Sequence, residues 1–422
     1  MFFRSIQLFL AGLMTALLLT ACGGGDAPPA PTNLQVTAGE SSATLTWDTV
    51  SGVEYWVFVA PTSSAPTSVA SMQNWFGLLG GNVLLKVSSP YVVQGLLNGV
   101  NYTFSVSGRV DGGPGGPGAT PVTATPRIAG SSWAAAAASG SDDLRSITYG
   151  SIVTTISSTS TYVAVGAAGA MYSSTNGTVW SAIDHSNVNS NSNRLNGASF
   201  WGSYKVVGDG GLVLTSPDAI TWTAQTSGTT QNLYAIASNG LNLNVAVGAG
   251  GTIIYSPDGI TWNKATNSGT SADLYAVNYG NGTWVAVGAG GTIVISGDGS
   301  NWFDHSESGP ALRGVASKVS VSSTGAVTAT FVAVGDSSTV LYSTDGASWT
   351  SQPVPMLGAN LNAIVYGTQF VAVGAQGSIL SSSDGELWDA ASSPNSNDIL
   401  AVTHGLDGFY AVGSTGSHLQ SK

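Results

Sequence analysis

A motif of the form aromatic-Val-Ala-Val-Gly, with local departures, ends at Gly166, Gly208, Gly248, Gly288, Gly335, Gly374 and Gly413. Successive copies lie 39 to 47 residues apart. A unit of that size cannot bury a core by itself, so the copies must stack on one another. Before each copy runs a short apolar segment of the form Leu-x-x-Ile. The seven are Leu144 to Ile147, Leu195 to Ala198, Leu233 to Ile236, Leu274 to Val277, Leu312 to Val315, Leu361 to Ile364 and Ile399 to Val402. After each Gly comes a third run, such as Thr252-Ile-Ile-Tyr255, and then a turn such as Ser256-Pro-Asp258-Gly259-Ile-Thr-Trp262. Helix is disfavoured throughout: Lys and Glu are scarce, charged residues make up 8% of the chain, and 56 Gly punctuate runs of Val, Ile, Thr and aromatics.

Four short strands in every 40 or so residues is the period of a propeller blade, and the 3.6-residue period of a helical solenoid is absent. The seventh repeat reaches Ser421-Lys422 where its turn should begin. Its other half lies upstream: Gly130-Ser-Ser-Trp133 matches the end of the turn, and Trp133 precedes Leu144 by 11 residues, as Trp222 precedes Leu233. Residues 130–138 are therefore expected to supply the outermost strand of the last blade, which leaves no open edge. The expected fold class is all-β, with a seven-bladed β-propeller over residues 130–422.

The turn recurs at Ser216–Trp222 with Ala219 for Gly, at Ser256–Trp262, Ser296–Trp302, Ser343–Trp349 and Ser382–Trp388, and with Asn176 at Ser174–Trp180. It resembles the Asp box of sialidases and of propellers with BNR-type or YCF48-type repeats, shortened by one residue between Asp and Gly. That resemblance places the boxes between third and fourth strands, away from the central mouth. Asp218, Asp258, Asp298, Asp345 and Asp384 are expected to accept backbone N–H groups and fix the turn. Trp133, Trp180, Trp222, Trp262, Trp302, Trp349 and Trp388 should pack between sheets. A single carboxylate per turn makes a poor calcium site, so these roles are structural.

The N-terminal side is different. Residues 1–21 combine Arg4, an apolar stretch from Leu8 to Leu19 and small residues, the pattern of a signal peptide. Leu19-Thr20-Ala21-Cys22 resembles the lipobox of bacterial lipoproteins, which implies lipidation of Cys22, the sole cysteine. Gly23 after it resembles the outer-membrane sorting pattern. Residues 22–31 read as a tether. Residues 32–126 resemble a fibronectin type III domain, carried by Leu34-Gln-Val36, Ala43-Thr-Leu45-Thr-Trp47, Tyr55-Trp-Val57 and Leu97-Asn-Gly-Val-Asn-Tyr102-Thr-Phe-Ser-Val106. Trp47 should fill the sandwich and Tyr102 should reach back to backbone. Trp75-Phe76, in the less regular stretch from Thr62 to Pro90, is a candidate binding tip, with core packing as its other reading.

Function is less constrained. The net charge of −11 offers no basic stripe for nucleic acid. By resemblance to propellers of this strand order, ligands meet the channel mouth. The second positions of the first strands would then form a ring: Arg145, Asn196, Tyr234, Tyr275, Arg313, Asn362 and Leu400, with Asp209 and Asp336 added by the following turns. Neither a metal site nor a cofactor is indicated by four histidines and one cysteine. The Asp184-His185 and Asp304-His305 neighbours point apart in a strand and make poor dyads. The reading is a non-catalytic lipoprotein of the cell envelope, anchored in the membrane by its N-terminal lipid, presenting a propeller as binding module for a protein segment or glycan. Two alternatives remain: a glycan-cleaving hydrolase, sialidase-like or other, using Asp209, Asp336 and the arginines, and an assembly factor, since a relative in this repeat class aids photosystem assembly.

Overall fold

The computed structural model describes residues 27–39, 41–62, 82–110, 115–126, 129–153, 158–322, 324–355 and 358–421. The signal-like segment, Cys22 and the Trp75-Phe76 pair lie outside the described residues. Among the described residues no helix is long and apolar enough to cross a membrane. The chain divides into two units, Met1–Ile128 and Ala129–Lys422.

In the first unit, strands Gln35–Gly39, Ser42–Thr46 and Tyr91–Gln94 form one sheet. Asn82–Val87, Glu54–Pro61, Tyr102–Arg109 and Val122–Ala124 form a second. Alternating residues of both bury Leu45, Trp47, Tyr55, Val57, Phe104 and Val106 between them. The Trp47 ring meets Tyr55 edge-on at 5.6 Å, and the Tyr102 hydroxyl accepts the Leu97 backbone N–H at 3.1 Å.

The second unit is built from seven antiparallel four-stranded sheets, six of them meanders in chain order. Their first strands are Leu144–Val153, Leu195–Trp201, Leu233–Ser238, Leu274–Gly280, Leu312–Val321, Leu361–Tyr366 and Ile399–His404. Each packs against the first strand of the next sheet, and Ile399–His404 packs against Leu144–Val153. The second strands carry the Val-Ala-Val motif and are buried on both faces, as Val245, Ala246 and Val247 illustrate. Between consecutive sheets these side chains interdigitate, so the core is a series of intersheet layers rather than one central mass. In the seventh sheet the fourth strand is Ala134–Ala136, from the other end of the unit. It pairs Ala136 with His418, Ala135 with Leu419 and Ala134 with Gln420. The strand is shorter than the 130–138 segment expected from sequence because residues 130–133 form the turn that precedes it.

Each third strand ends in the Ser-x-Asp-Gly-x-x-Trp turn. In the third sheet, Asp258 Oδ1 accepts the N–H groups of Ile260 and Thr261 at 2.8 Å each, and Ser256 Oγ accepts that of Gly259 at 2.8 Å. Trp262 Nε1 donates to the Gly259 carbonyl at 3.1 Å. The bonds recur around Asp298, Asp345 and Asp384, and Asn176 makes them without a charge. Where Ala219 replaces Gly, it holds φ at +62° and the buried Trp222 Nε1 has no partner. The same turn is rebuilt across the chain ends. Ser421 Oγ accepts the Gly130 N–H at 2.7 Å, and Trp133 Nε1 donates to the Gly130 carbonyl at 3.0 Å.

Candidate functional site

The Leu-x-x-Ile segments pose a problem for simple strands, in which residues three apart face opposite ways. The structure resolves it with a bulge. In all seven sheets the ladder between first and second strands shifts register around the second residue of the first strand. Leu233 pairs with Gly248 and Ala235 with Val247, so Tyr234 is the extra, unpaired residue. The insertion lets Leu233 and Ile236 both face the core, and it turns the intervening side chain outward. The extra residues are Arg145, Asn196, Tyr234, Tyr275, Arg313, Asn362 and Leu400, brought together with Arg194 around one cavity of about 250 Å³.

The repeated Gly is what makes the bulge fit. A Cβ on Gly248 or Gly288 would overlap the carbonyl oxygen of Asn232 or Asp273, the residue just before the first strand, and the other five glycines stand in the same relation. That carbonyl instead accepts the N–H of the residue after the Gly, as in Ala249 to Asn232 at 2.9 Å. The next residue of the short 3₁₀ turn reaches the neighbouring sheet. Gly210 N–H donates to Asn232 Oδ1 at 2.9 Å, Gly250 to Asp273 at 2.8 Å, Ser337 to Asn360 at 3.1 Å, Gln376 to Asp398 at 2.8 Å and Thr415 to Asp143 at 3.1 Å. These latches were missed from sequence, although an Asp or Asn directly before the apolar run was their signal.

At the two junctions without such a latch the residues are Arg194 and Ala311, and the sheets they begin carry Asp209 and Asp336. Arg194 Nε lies 3.3 Å from Asp209 Oδ2, and Asn196 Nδ2 donates to Asp209 Oδ1 at 2.9 Å. Arg313 donates through Nε to Asp336 Oδ1 and through Nη2 to Oδ2, the latter at 3.1 Å. This bidentate bond raises the Arg313 pKa further. Arg313 also lies 5.9 Å from the Tyr275 ring centroid, and Tyr275 stands 5.8 Å from Tyr234. Asn196 and Asn362 each spend one amide N–H on the first carbonyl of the next sheet's first strand, at 2.9 Å. Arg145 is exposed and has no carboxylate in salt-bridge range among the described residues. Three arginines thus face two carboxylates in an otherwise acidic chain.

The remaining sequence candidates lie elsewhere. His185 is buried with Nδ1 at 3.0 Å from the Ile183 carbonyl, and Asp184 accepts from the Ser186 N–H and hydroxyl, so that pair shapes a turn. Among the described residues no group of three or more His, Cys, Asp or Glu is placed to hold a metal. A larger cavity of about 680 Å³ lies in the first unit, lined by Val59, Val83, Tyr91 and Val93 with no charged side chain. Convergent polar groups mark a ligand site better than volume, which favours the ring.

Residues 29–125 match the fibronectin type III domain. No curated protein matches the chain. Solved structures that resemble it include the following. YCF48 from Cyanidioschyzon merolae has 15% identity and a TM-score of 0.52, covering 69% of this chain and 98% of that one. YCF48 bound to D1 peptide gives 16%, 0.51, 71% and 99%. The WD40 beta propeller domain of Doa1 gives 12%, 0.52, 69% and 97%, and streptogramin B lyase 12%, 0.55, 69% and 97%. The second unit has the β-propeller fold. At these identities the likeness carries the fold alone, and the propeller's chemistry must be read from its own ring.

Proposed function

We propose that the propeller is a recognition module that takes a protein segment or a glycan chain at the ring of bulged residues. One observation carries this reading. In a repeat whose glycines, second strands and boxes are nearly uniform, the bulge position, which lines the ring cavity in every sheet, varies through Arg, Asn, Tyr, Tyr, Arg, Asn and Leu. Uniform packing positions build a scaffold; a variable, outward-facing position on that scaffold is where specificity is written. The Tyr234–Tyr275 pair supplies flat apolar surface, and Arg145 a cation free to pair with a ligand. The peptide bound to YCF48 supports the protein-segment branch.

The architecture we infer behind it is a single propeller of seven blades, closed by Ala134–Ala136 against His418–Ser421. Its supports are the continuous packing of the seven first strands and the box shared between Ser421 and Gly130. We further infer, from the lipobox-like Leu19-Thr20-Ala21-Cys22, an outer-membrane lipoprotein whose type III domain spaces the propeller from its anchor. Cys22→Ala should move the protein from the membrane to the soluble fraction, and unchanged fractionation would remove the anchor.

The glycan-cleaving alternative needs carboxylates available for proton transfer or attack. Asp209 and Asp336 are instead each engaged by an arginine, which weighs against it. Peptide and glycan arrays probed with the protein, with and without Arg145→Ala and Tyr234→Ala together, test the main reading. Binding lost in the double variant supports the ring. Binding retained there, or product release from glycans, overturns it. Recognition by the ring also leaves the assembly-factor role open to test by cross-linking in the native envelope.

A further inference from the structure

The seven sheets share one antiparallel strand order, so the hairpins between first and second strands and the box turns between third and fourth emerge at one end. The 3₁₀ turns, the bulges and the recognition ring occupy the other. Exposed large apolar side chains divide sharply between the two. Among the described residues of the propeller there are eleven, and all lie at the hairpin and box end. Trp201, Leu241 and Leu406 tip the hairpins of the second, third and seventh sheets, and Val319, Val321 and Val327 face one way on the long hairpin of the fifth. The others sit in or beside box turns, with Ile220 and Leu387 each 75% exposed.

These tips are held in place. Trp201 lies over Gly240 of the next hairpin, and Lys205 Nζ bonds the Trp201 and Ser203 carbonyls at 3.1 and 3.2 Å. Asn281 Nδ2 donates to the Val327 carbonyl at 3.2 Å, joining the hairpins of the fourth and fifth sheets. The apolar end is therefore a preformed surface rather than a set of loose loops. The box turns on the outer side of this end carry Asp218, Asp258, Asp298, Asp345 and Asp384 beside their own Ile220, Ile260 and Leu387, and outnumber the Lys264 and Lys318 ammonium groups there. One oxygen of each carboxylate, Oδ1, is tied to backbone N–H groups two and three residues on, so the carboxylates keep a fixed place there.

We propose that the end opposite the recognition ring is a second docking surface, which takes a protein whose apolar patch is bordered by lysines or arginines. Charge complementarity selects that occupant. A partner with a basic border places cations against the fixed Asp border while its centre covers Trp201, Leu241 and Val321. A bilayer fits less well, because border carboxylates locked to backbone cannot withdraw from hydrocarbon or from anionic headgroups. The surface is independent of the ring, and the ring reading can fail without it.

The test titrates the whole protein with two synthetic amphipathic helical peptides that share a leucine face, one bordered by lysine and the other by glutamate. The lysine-bordered peptide should bind, more weakly as salt rises, and Leu241→Asp with Val321→Asp should weaken it about tenfold or more. Both positions are exposed, so folding should survive the change, which thermal melting verifies. The Arg145→Ala, Tyr234→Ala double variant should bind it unchanged. Equal binding of both peptides, loss only in the ring variant, or no effect of the aspartates would overturn the proposal. So would vesicle binding of neutral phosphatidylcholine, or self-association in sedimentation, that the aspartates abolish: the first would assign the surface to a bilayer and the second to another copy.

Discussion

Ser421 Oγ accepts the backbone N–H of Gly130 at 2.7 Å across 291 residues of chain. The same bond forms locally in the third sheet, from Gly259 to Ser256 at 2.8 Å. One box turn of the propeller is thus cut, with its serine at one chain end and its glycine and tryptophan at the other. Ser421→Ala would leave a buried N–H without a partner, and chemical denaturation should show a loss of about 1 to 2 kcal/mol. The equivalent Ser256→Ala should cost no more, since its turn is also held by Asp258 within one stretch of chain. A smaller effect at Ser421 than at Ser256 would show that the joint contributes little.

Protonation should weaken the same seventh sheet. His418 is buried, stacked on Trp180 at 4.3 Å, with Nε2 2.9 Å from the Ser139 hydroxyl. Burial lowers its pKa from 6.5 to about 4. Between those values the unfolded chain binds the proton and the folded chain does not. Stability present above pH 6.5 is therefore lost as pH falls towards 4. Melting temperature measured across that window should decline in the wild type and decline less in His418→Leu; parallel curves would mean that His418 is not responsible.

Two glycine substitutions should differ widely. Gly288→Ala drives a Cβ into the Asp273 carbonyl at the bulge, and a loss of about 3 kcal/mol or more is expected. Gly250→Ala meets no atom within 4 Å and carries only its φ of +59°, which Ala168 tolerates at the matching turn. Its cost should be about 1 kcal/mol. Similar losses for the two in urea unfolding would remove the close-approach account of the repeated Gly.

The boxes should tolerate loss of charge but not loss of the acceptor. The backbone N–H groups of Thr261 and Ile260 hold Asp258 at a pKa of about 2, so it is ionised at neutral pH. Asn176 occupies the same place in the first sheet with bonds of 2.9 and 3.0 Å. Asp258→Asn should change stability little, whereas Asp258→Ala should cost about 1 kcal/mol. Added calcium should leave all three melting curves unmoved, and a calcium-dependent rise in the wild type alone would assign the carboxylate to a metal.

Much of this was legible in the sequence because a repeat reports its own geometry. The interval between glycines, the Ser-x-Asp-Gly-x-x-Trp turns and the displaced Gly130-Ser-Ser-Trp133 are local patterns, set by φ, by side-chain size and by hydrogen bonds that span a few residues. They pointed to stacked antiparallel sheets, while resemblance to other propellers marked Arg145, Tyr234 and Arg313 as mouth positions. What turns these side chains outward is a bulge in each first strand and not simple strand alternation. Leu233 and Ile236 share a face only because a bulge inserts Tyr234 between them, and a bulge is a property of paired strands that one strand cannot disclose. The pairing of Arg194 with Asp209, the latches from each turn to the next sheet, and the gathering of Trp201, Leu241 and Val321 at one end were likewise decided by tertiary structure. Each joins residues whose distance depends on how the sheets stack around the ring, so local spacing determined the repeating unit and only the packing of units determined which side chains meet.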